Sequence, residues 1–140
     1  MSTSIPAIFI GNGTAKRITL DSENTGPSIA AAIGCDHFDV VQLDDGLDVF
    51  VDDEGAINGS PLNLALTIVA HAMNVPAVLF GSGVIVGFDA SNGDTIGLTD
   101  EQAQHVEAIM HRKPDPATVD RLCDSLAPLP GVVALLRAIR

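Results

Sequence analysis

Phe38-Asp39-Val40-Val41-Gln42-Leu43-Asp44-Asp45-Gly46-Leu47-Asp48-Val49-Phe50-Val51 holds two β-prone runs around an Asp-Asp-Gly turn, and how they face each other decides the fold. A three-residue loop with Gly46 in the left-handed region sets Leu43 opposite Leu47 and Val41 opposite Val49. That register gathers Val41, Leu43, Leu47, Val49 and Val51 on one face and leaves Val40, Gln42, Asp48 and Phe50 on the other. A two-residue loop would instead pair Leu43 with Asp48 and mix the faces, against the two-residue repeat of a strand. The stretch is therefore expected to be a structural hairpin and not a flexible acidic loop.

Working outward, Ala7 to Ile10 and Arg17 to Leu20 flank Gly11-Asn12-Gly13-Thr14, which reads as a first hairpin. Asn24 to Pro27 supplies capping and first-turn residues for a short helix over Ser28 to Ile33, ended by Gly34. Ser60-Pro61 marks a second helix start, with Leu62, Leu66, Val69 and Met73 at helical spacing and Ala65, Ile68 and Ala72 widening the stripe. Ala77 to Asp89 is a long β-prone run interrupted by Gly81-Ser82-Gly83 at a bulge or sharp turn. After the Ser91-Asn92-Gly93-Asp94 turn, Thr99-Asp100-Glu101-Gln102 is a capping box that predicts a helix through Met110.

From Lys113 the prolines at 114, 116, 128 and 130 divide the chain into two short helical pieces, Ala117 to Leu126 and Val132 to Ile139. The expected fold is α+β: a mainly antiparallel sheet of two hairpins plus a long strand segment, with two main helices on one face. The connections are too short for repeated βαβ crossovers. The expected organisation is one domain over 1–112 and a C-terminal helical extension over 113–140, docked through Leu135, Leu136 and Ile139 either on its own core or at a homodimer interface. A small sheet with two edges and an apolar terminal stripe favours the dimer.

Between Ile18 and His111 there are fifteen carboxylates and neither lysine nor arginine, and eight of the acids fall between Asp36 and Glu54. The formal charge is −11, with mildly basic ends and an acidic middle. Nucleic acid is a poor partner for such a surface, and the absence of Trp and Tyr removes the usual stacking platforms. At 46% hydrophobic residues the chain has ample material for a core, so its acidity belongs to the surface of ordered structure. Neither a charged leader nor a long apolar run appears, which makes a cytoplasmic location, away from membranes, the expectation.

The chemistry-bearing residues form no recognisable catalytic set. Asp44, Asp45, Asp48, Asp52, Asp53 and Glu54 carry oxygen enough for a hard cation, but their spacing fails the EF-hand pattern. Cys35 and Cys123 lack zinc spacing, and His37, His71, His105 and His111 form neither HxxxH nor HExxH. His71 reads as a core-edge residue. Gly11-Asn12-Gly13 lacks the third glycine and following helix of a phosphate loop, and Gly81-Ser82-Gly83 is half a nucleophile elbow without its partners. No cofactor is expected.

The ordered series Val40-Val41-Gln42-Leu43-Asp44-Asp45-Gly46-Leu47-Asp48, Val51-Asp52-Asp53-Glu54-Gly55, Pro61-Leu62-Asn63, Gly81-Ser82-Gly83-Val84-Ile85-Val86-Gly87-Phe88-Asp89 and Leu98-Thr99-Asp100-Glu101-Gln102 resembles the family known as domain of unknown function 3846. The resemblance spans roughly residues 5–110 and rests on the order of the pieces. It implies a small intracellular accessory protein of phages, plasmids or their bacterial hosts, with no established activity and hence no catalytic residues to carry over. The family pattern ends soon after the Thr99 helix, so the 113–140 extension departs from it.

The expected function is non-enzymatic: binding of a host or phage protein through an acidic surface built from Asp44, Asp45, Asp48, Asp52, Asp53 and Glu54. The alternative is a small-ligand or metal-ion binding protein using the loops near Gly11, Asp44 and Gly81.

Overall fold

The computed structural model describes residues 4–11, 14–43, 46–53, 62–111, 116–129, 131 and 133–134. Its centre is the hairpin of β3 (Phe38–Leu43) and β4 (Leu47–Asp52), in the register the hydrophobic pattern requires: Leu43 faces Leu47 and Val41 faces Val49. Gly46 turns the chain at φ 71°, a conformation that costs a β-branched residue roughly 1–2 kcal/mol.

The first hairpin, β1 (Ser4–Gly11) and β2 (Thr14–Asp21), is longer at both ends than its apolar runs suggest, because strand pairing recruits the flanking polar residues. Strand β5 (Gly83–Asp89) lies between the hairpins and pairs antiparallel with both β1 and β4, giving the order β2-β1-β5-β4-β3. A sixth strand, β6 (Asp94–Ile96), was not legible in the sequence, where its three residues follow a turn without an apolar run. It pairs with β5 beyond the point where β1 stops.

The predicted strand over Ala77 to Asp89 is shorter than expected, since Gly81 turns at φ 72° and only the part from Gly83 joins the ladder. Gly83 is required there by close approach, because a Cβ at this position would run into the Leu66 side chain.

Two faces of the sheet are covered. Helices α2 (Leu64–Ala72) and α3 (Asp100–His111) pack on one, where Ile8, Ile10, Leu47, Val49, Leu66, Val69, Ile85 and Val106 form the larger core. The other face, to which the hydrophobic pattern assigns no helix, is closed by α1 (Thr25–Ile33), with Ile29 set against Leu20, Phe50, Val84 and Val86. Phe38 meets Phe50 edge-on at 5.3 Å between ring centroids.

Helix α2 starts later than the Ser60-Pro61 signal predicts. Its cap is Asn63, whose Oδ1 accepts the Leu66 amide at 3.0 Å, while Leu62 bridges to Phe80 outside the helix; Ser60 and Pro61 lie outside the described residues. The capping box of α3 forms as read: the Thr99 amide donates to Gln102 Oε1 at 3.0 Å and the Gln102 amide to Thr99 Oγ at 3.1 Å.

Helix α4 (Pro116–Ser125) docks on the chain's own α2 side, where Val119, Leu122, Cys123 and Leu126 pack with Leu62, Leu64 and Ile68. Leu135, Leu136 and Ile139 lie outside the described residues. No helix among the described residues is long and apolar enough to cross a membrane.

Candidate functional site

Helix α1 ends at Gly34, where a left-handed residue lets the amides of Gly34 and Cys35 both donate to the Ala30 carbonyl, at 2.8 and 3.1 Å. That tight exit drops Cys35-Asp36-His37 directly beside the end of β4. The Asp53 amide donates to the His37 carbonyl at 3.3 Å and continues the hairpin ladder by one step. Between the helix end and the strand end opens a cleft of about 540 Å³ lined by Cys35, Asp36, His37, Asp52 and Asp53 together with Ala30, Ala31 and Gly34.

The cleft is electronegative. Burial pushes the Cys35 thiol above its ordinary value, and the charges of Asp52, Asp53 and Asp36 push it further. A thiol held protonated in this way is a poor nucleophile at neutral pH. Asp36 and Asp53 are exposed, and among the described residues no basic side chain pairs with either.

Of the six carboxylates singled out in the sequence, Asp52 and Asp53 line this cleft, and Asp44, Asp45 and Glu54 lie outside the described residues. Asp48 corrects the expectation of a surface acid. It is only 5% exposed, on the α1 face of β4 between Gln42 and Val86, and its Oδ1 has no hydrogen-bond partner among the described residues. Strand alternation does point Asp48 away from the larger core, but that direction leads into a second covered face and not into solvent. Desolvation raises its pKa above the ordinary carboxylate value.

The residues missed at the cleft are Asp36, His37 and Cys35. The hairpin register held the signal, because pairing Phe38 with Asp52 places residue 37 beside residue 53.

The loops near Gly11 and Gly81 do meet. Buried Asn63 spans them, its Nδ2 donating to the Ile10 and Gly81 carbonyls at 3.0 and 2.8 Å, which engages those two carbonyls within the domain. The Asp44 turn lies elsewhere, since Gly83 faces Val51 at one end of β4 and Gly87 faces Leu47, next to that turn, at the other. His71 is fully buried rather than at the core edge: its Nδ1 lies 2.9 Å from the Thr67 carbonyl and its Nε2 3.1 Å from Ser125 Oγ, which ties α2 to the end of α4. Among the described residues no group of three or more His, Cys, Asp or Glu side chains is arranged to hold a metal ion.

At the far edge of the sheet a second cleft of about 310 Å³ runs between β1, β2 and α3. There Arg17 donates to both carboxylate oxygens of Glu107, at 2.7 and 3.1 Å, and lies 3.8 Å from Asp100. The bond to Arg17 holds the Glu107 carboxyl below its ordinary range.

Fold and site together define a small α+β domain with helices on both faces of an antiparallel sheet and an acidic cleft at one edge. The family described as Domain of unknown function (DUF3846) matches residues 6–111, and the chain belongs to it. No curated protein matches the sequence. Among solved structures, the crystal structure of small RNA methyltransferase HEN1 is similar, with a TM-score of 0.51 and 12% identity over 85% of this chain. This chain spans 18% of that one, and the likeness shows the fold alone.

Proposed function

We propose that this chain is a non-enzymatic accessory protein, of the phage or mobile-element kind its family resemblance implies, that binds a cationic protein partner through the acidic cleft between α1 and β4. The observation that carries this reading is the convergence of Asp36, Asp52 and Asp53 on one cleft, with no basic side chain of the described residues paired to Asp36 or Asp53. Like charges gathered without a counter-ion repel one another, and a cationic partner relieves that repulsion while the field steers its approach. The protonated Cys35 thiol and the fully engaged His71 support binding over nucleophilic chemistry.

The test is affinity capture from host lysate in low and high salt, comparing the wild-type chain with an Asp36→Asn, Asp53→Asn double variant. The expected result is a protein retained in low salt, released by salt, and associating more slowly with the double variant. A captured protein indifferent to both changes would leave the carboxylates a role in solubility only.

The second reading, a small cationic ligand, is favoured by the size of the cleft, which falls within the roughly 300–1,000 Å³ of small-molecule sites. Native mass spectrometry of the purified chain, showing a bound small molecule or ion, separates it from the first.

A further inference from the structure

Strand β3 ends the sheet, and among the described residues no strand pairs with its outer side. The Val40 amide donates to the carboxylate of its neighbour Asp39 at 2.8 Å, so it points away from β4. Antiparallel pairing alternates, and the amides and carbonyls of Phe38 and Gln42 therefore point outward with those of Val40. Those of Asp39, Val41 and Leu43 bond inward to β4.

Along this row the Val40 side chain is 43% exposed, one of three large hydrophobic residues left so open among those described. Acids lie on one side of it along the edge: Asp39 is exposed as the preceding residue of the strand, and the Asp36 and Asp53 cleft opens at the Phe38 end. An outward row of peptide groups, one apolar contact and carboxylates toward the Phe38 end describe the complement of one kind of ligand.

We infer that the outer edge of β3 is a strand-addition site for an extended segment of another protein, in which basic residues alternate with β-branched ones. This rests on the acidic-cleft reading above and gives it a mode of binding. The added strand makes main-chain bonds to Phe38, Val40 and Gln42, sets an apolar residue against Val40, and directs its basic side chains at Asp39 and the cleft. Asp39 holds the central amide until the partner displaces it, which guards the edge against indiscriminate pairing. A second copy of the chain is the poorer occupant: of the two basic residues on its β2 edge Arg17 is already held by Glu107, which leaves Lys16 alone, and a charge of −11 on each copy opposes association.

The experiment uses the full chain and a fluorescein-labelled, end-capped peptide of three Lys-Val repeats, read by anisotropy. Val40→Pro removes the outward donor and no ladder bond, a substitution that edge strands tolerate, and it leaves every carboxylate in place. Asp36→Asn with Asp53→Asn removes charge and leaves the edge intact. Circular dichroism establishes that each variant is folded, and hydrogen exchange on the wild-type chain reads the same edge without any substitution.

Strand addition predicts binding weakened roughly tenfold or more in Val40→Pro, as expected for one to two net hydrogen bonds. It also predicts new protection on peptide binding at the Phe38, Val40 and Gln42 amides. Unchanged affinity in Val40→Pro, or exchange without that alternation, overturns strand addition. If the double Asn variant and salt still weaken binding in that case, the acidic-cleft reading survives alone. Indifference to salt and to both variants overturns both, and so does a peptide that fails to bind at millimolar concentration. A wild-type dimer that Val40→Pro converts to monomer would make a second copy the occupant and overturn the assignment to another protein.

Discussion

The two outer strands of the sheet solve the same problem in opposite ways. Strand β2 carries the cations of this part of the chain, Lys16 and Arg17, and Arg17 is neutralised across the sheet by Glu107 of α3. Strand β3 carries one acid, Asp39, and leaves Val40 open, and at its Phe38 end Asp36 and Asp53 have no basic partner among the described residues. One edge has its arginine paired within its own domain, and the other keeps two carboxylates without a basic partner among the described residues. The difference arises because α3 places Glu107 and Asp100 beside Arg17 of β2, whereas no basic side chain of the described residues pairs with Asp36 or Asp53. A charge of −11 is thus unevenly compensated: Glu107 has a basic neighbour, and Asp36 and Asp53 have none among the described residues.

The largest expected effect concerns Asp48, a buried carboxylate of the second hairpin whose Oδ1 has no partner among the described residues. Asp48→Val should stabilise the fold by about 1–3 kcal/mol at neutral pH, because it removes a buried oxygen without a partner from a β-branched site. In the fold its carboxyl titrates above the ordinary 3.8, so between that value and the raised one the native state binds the extra proton. Wild-type stability from this group is present at low pH and lost as pH rises through the window. Urea unfolding across pH should show the variant's advantage shrinking on acidification; an advantage independent of pH would mean that Asp48 is solvated.

Gly46→Val tests whether β3 is a firm edge at all. The positive φ predicts a loss of roughly 1–2 kcal/mol, read as a lower thermal midpoint. Hydrogen exchange should rise along β3 while β2 stays protected. An unchanged midpoint would remove the left-handed turn and with it the outward alternation of the edge.

A smaller and more local effect is expected from Asp39→Ala, which frees the Val40 amide. Exchange should quicken at that amide, with the inward amides of Val41 and Leu43 unaffected. Uniform exchange along the strand would show that Asp39 guards nothing.

The smallest effect should come from the closed edge. Arg17→Ala breaks an exposed ion pair, which contributes little to stability in water. Its signature is the Glu107 carboxyl, now held below its ordinary value of 4.5 and expected to move up in the variant when followed by NMR titration. The stability that this depressed carboxyl provides is present above its unfolded value and lost as pH falls through the folded one. If Glu107 does not move, the two edges differ less than the geometry indicates.

Much of the fold was legible in the chain because it follows from local chemistry. The register of the second hairpin comes from the parity of its aliphatics and from Gly46, and the start of α3 from the reciprocal Thr99 and Gln102 bonds. Such signals act over a few residues, where steric and hydrogen-bonding rules need no knowledge of the rest of the chain. The cap of α2 was misplaced because Asn63 is held by carbonyls at Ile10 and Gly81, contacts 53 and 18 residues away. Strand β6 escaped notice since pairing to β5, and not its own composition, makes it a strand.

Local chemistry along the chain dictates the alternation: which side chains of each strand share a face, and that the acids of this chain outnumber its bases. Packing between distant elements dictates what each face meets. Asp48 and Asp52 share a parity on β4, yet packing on the α1 side buries the first while the second reaches the cleft beside Asp36 and His37. The physical reason is that a carboxylate's environment depends on neighbours brought from distant parts of the chain, and a period-two pattern contains no record of them.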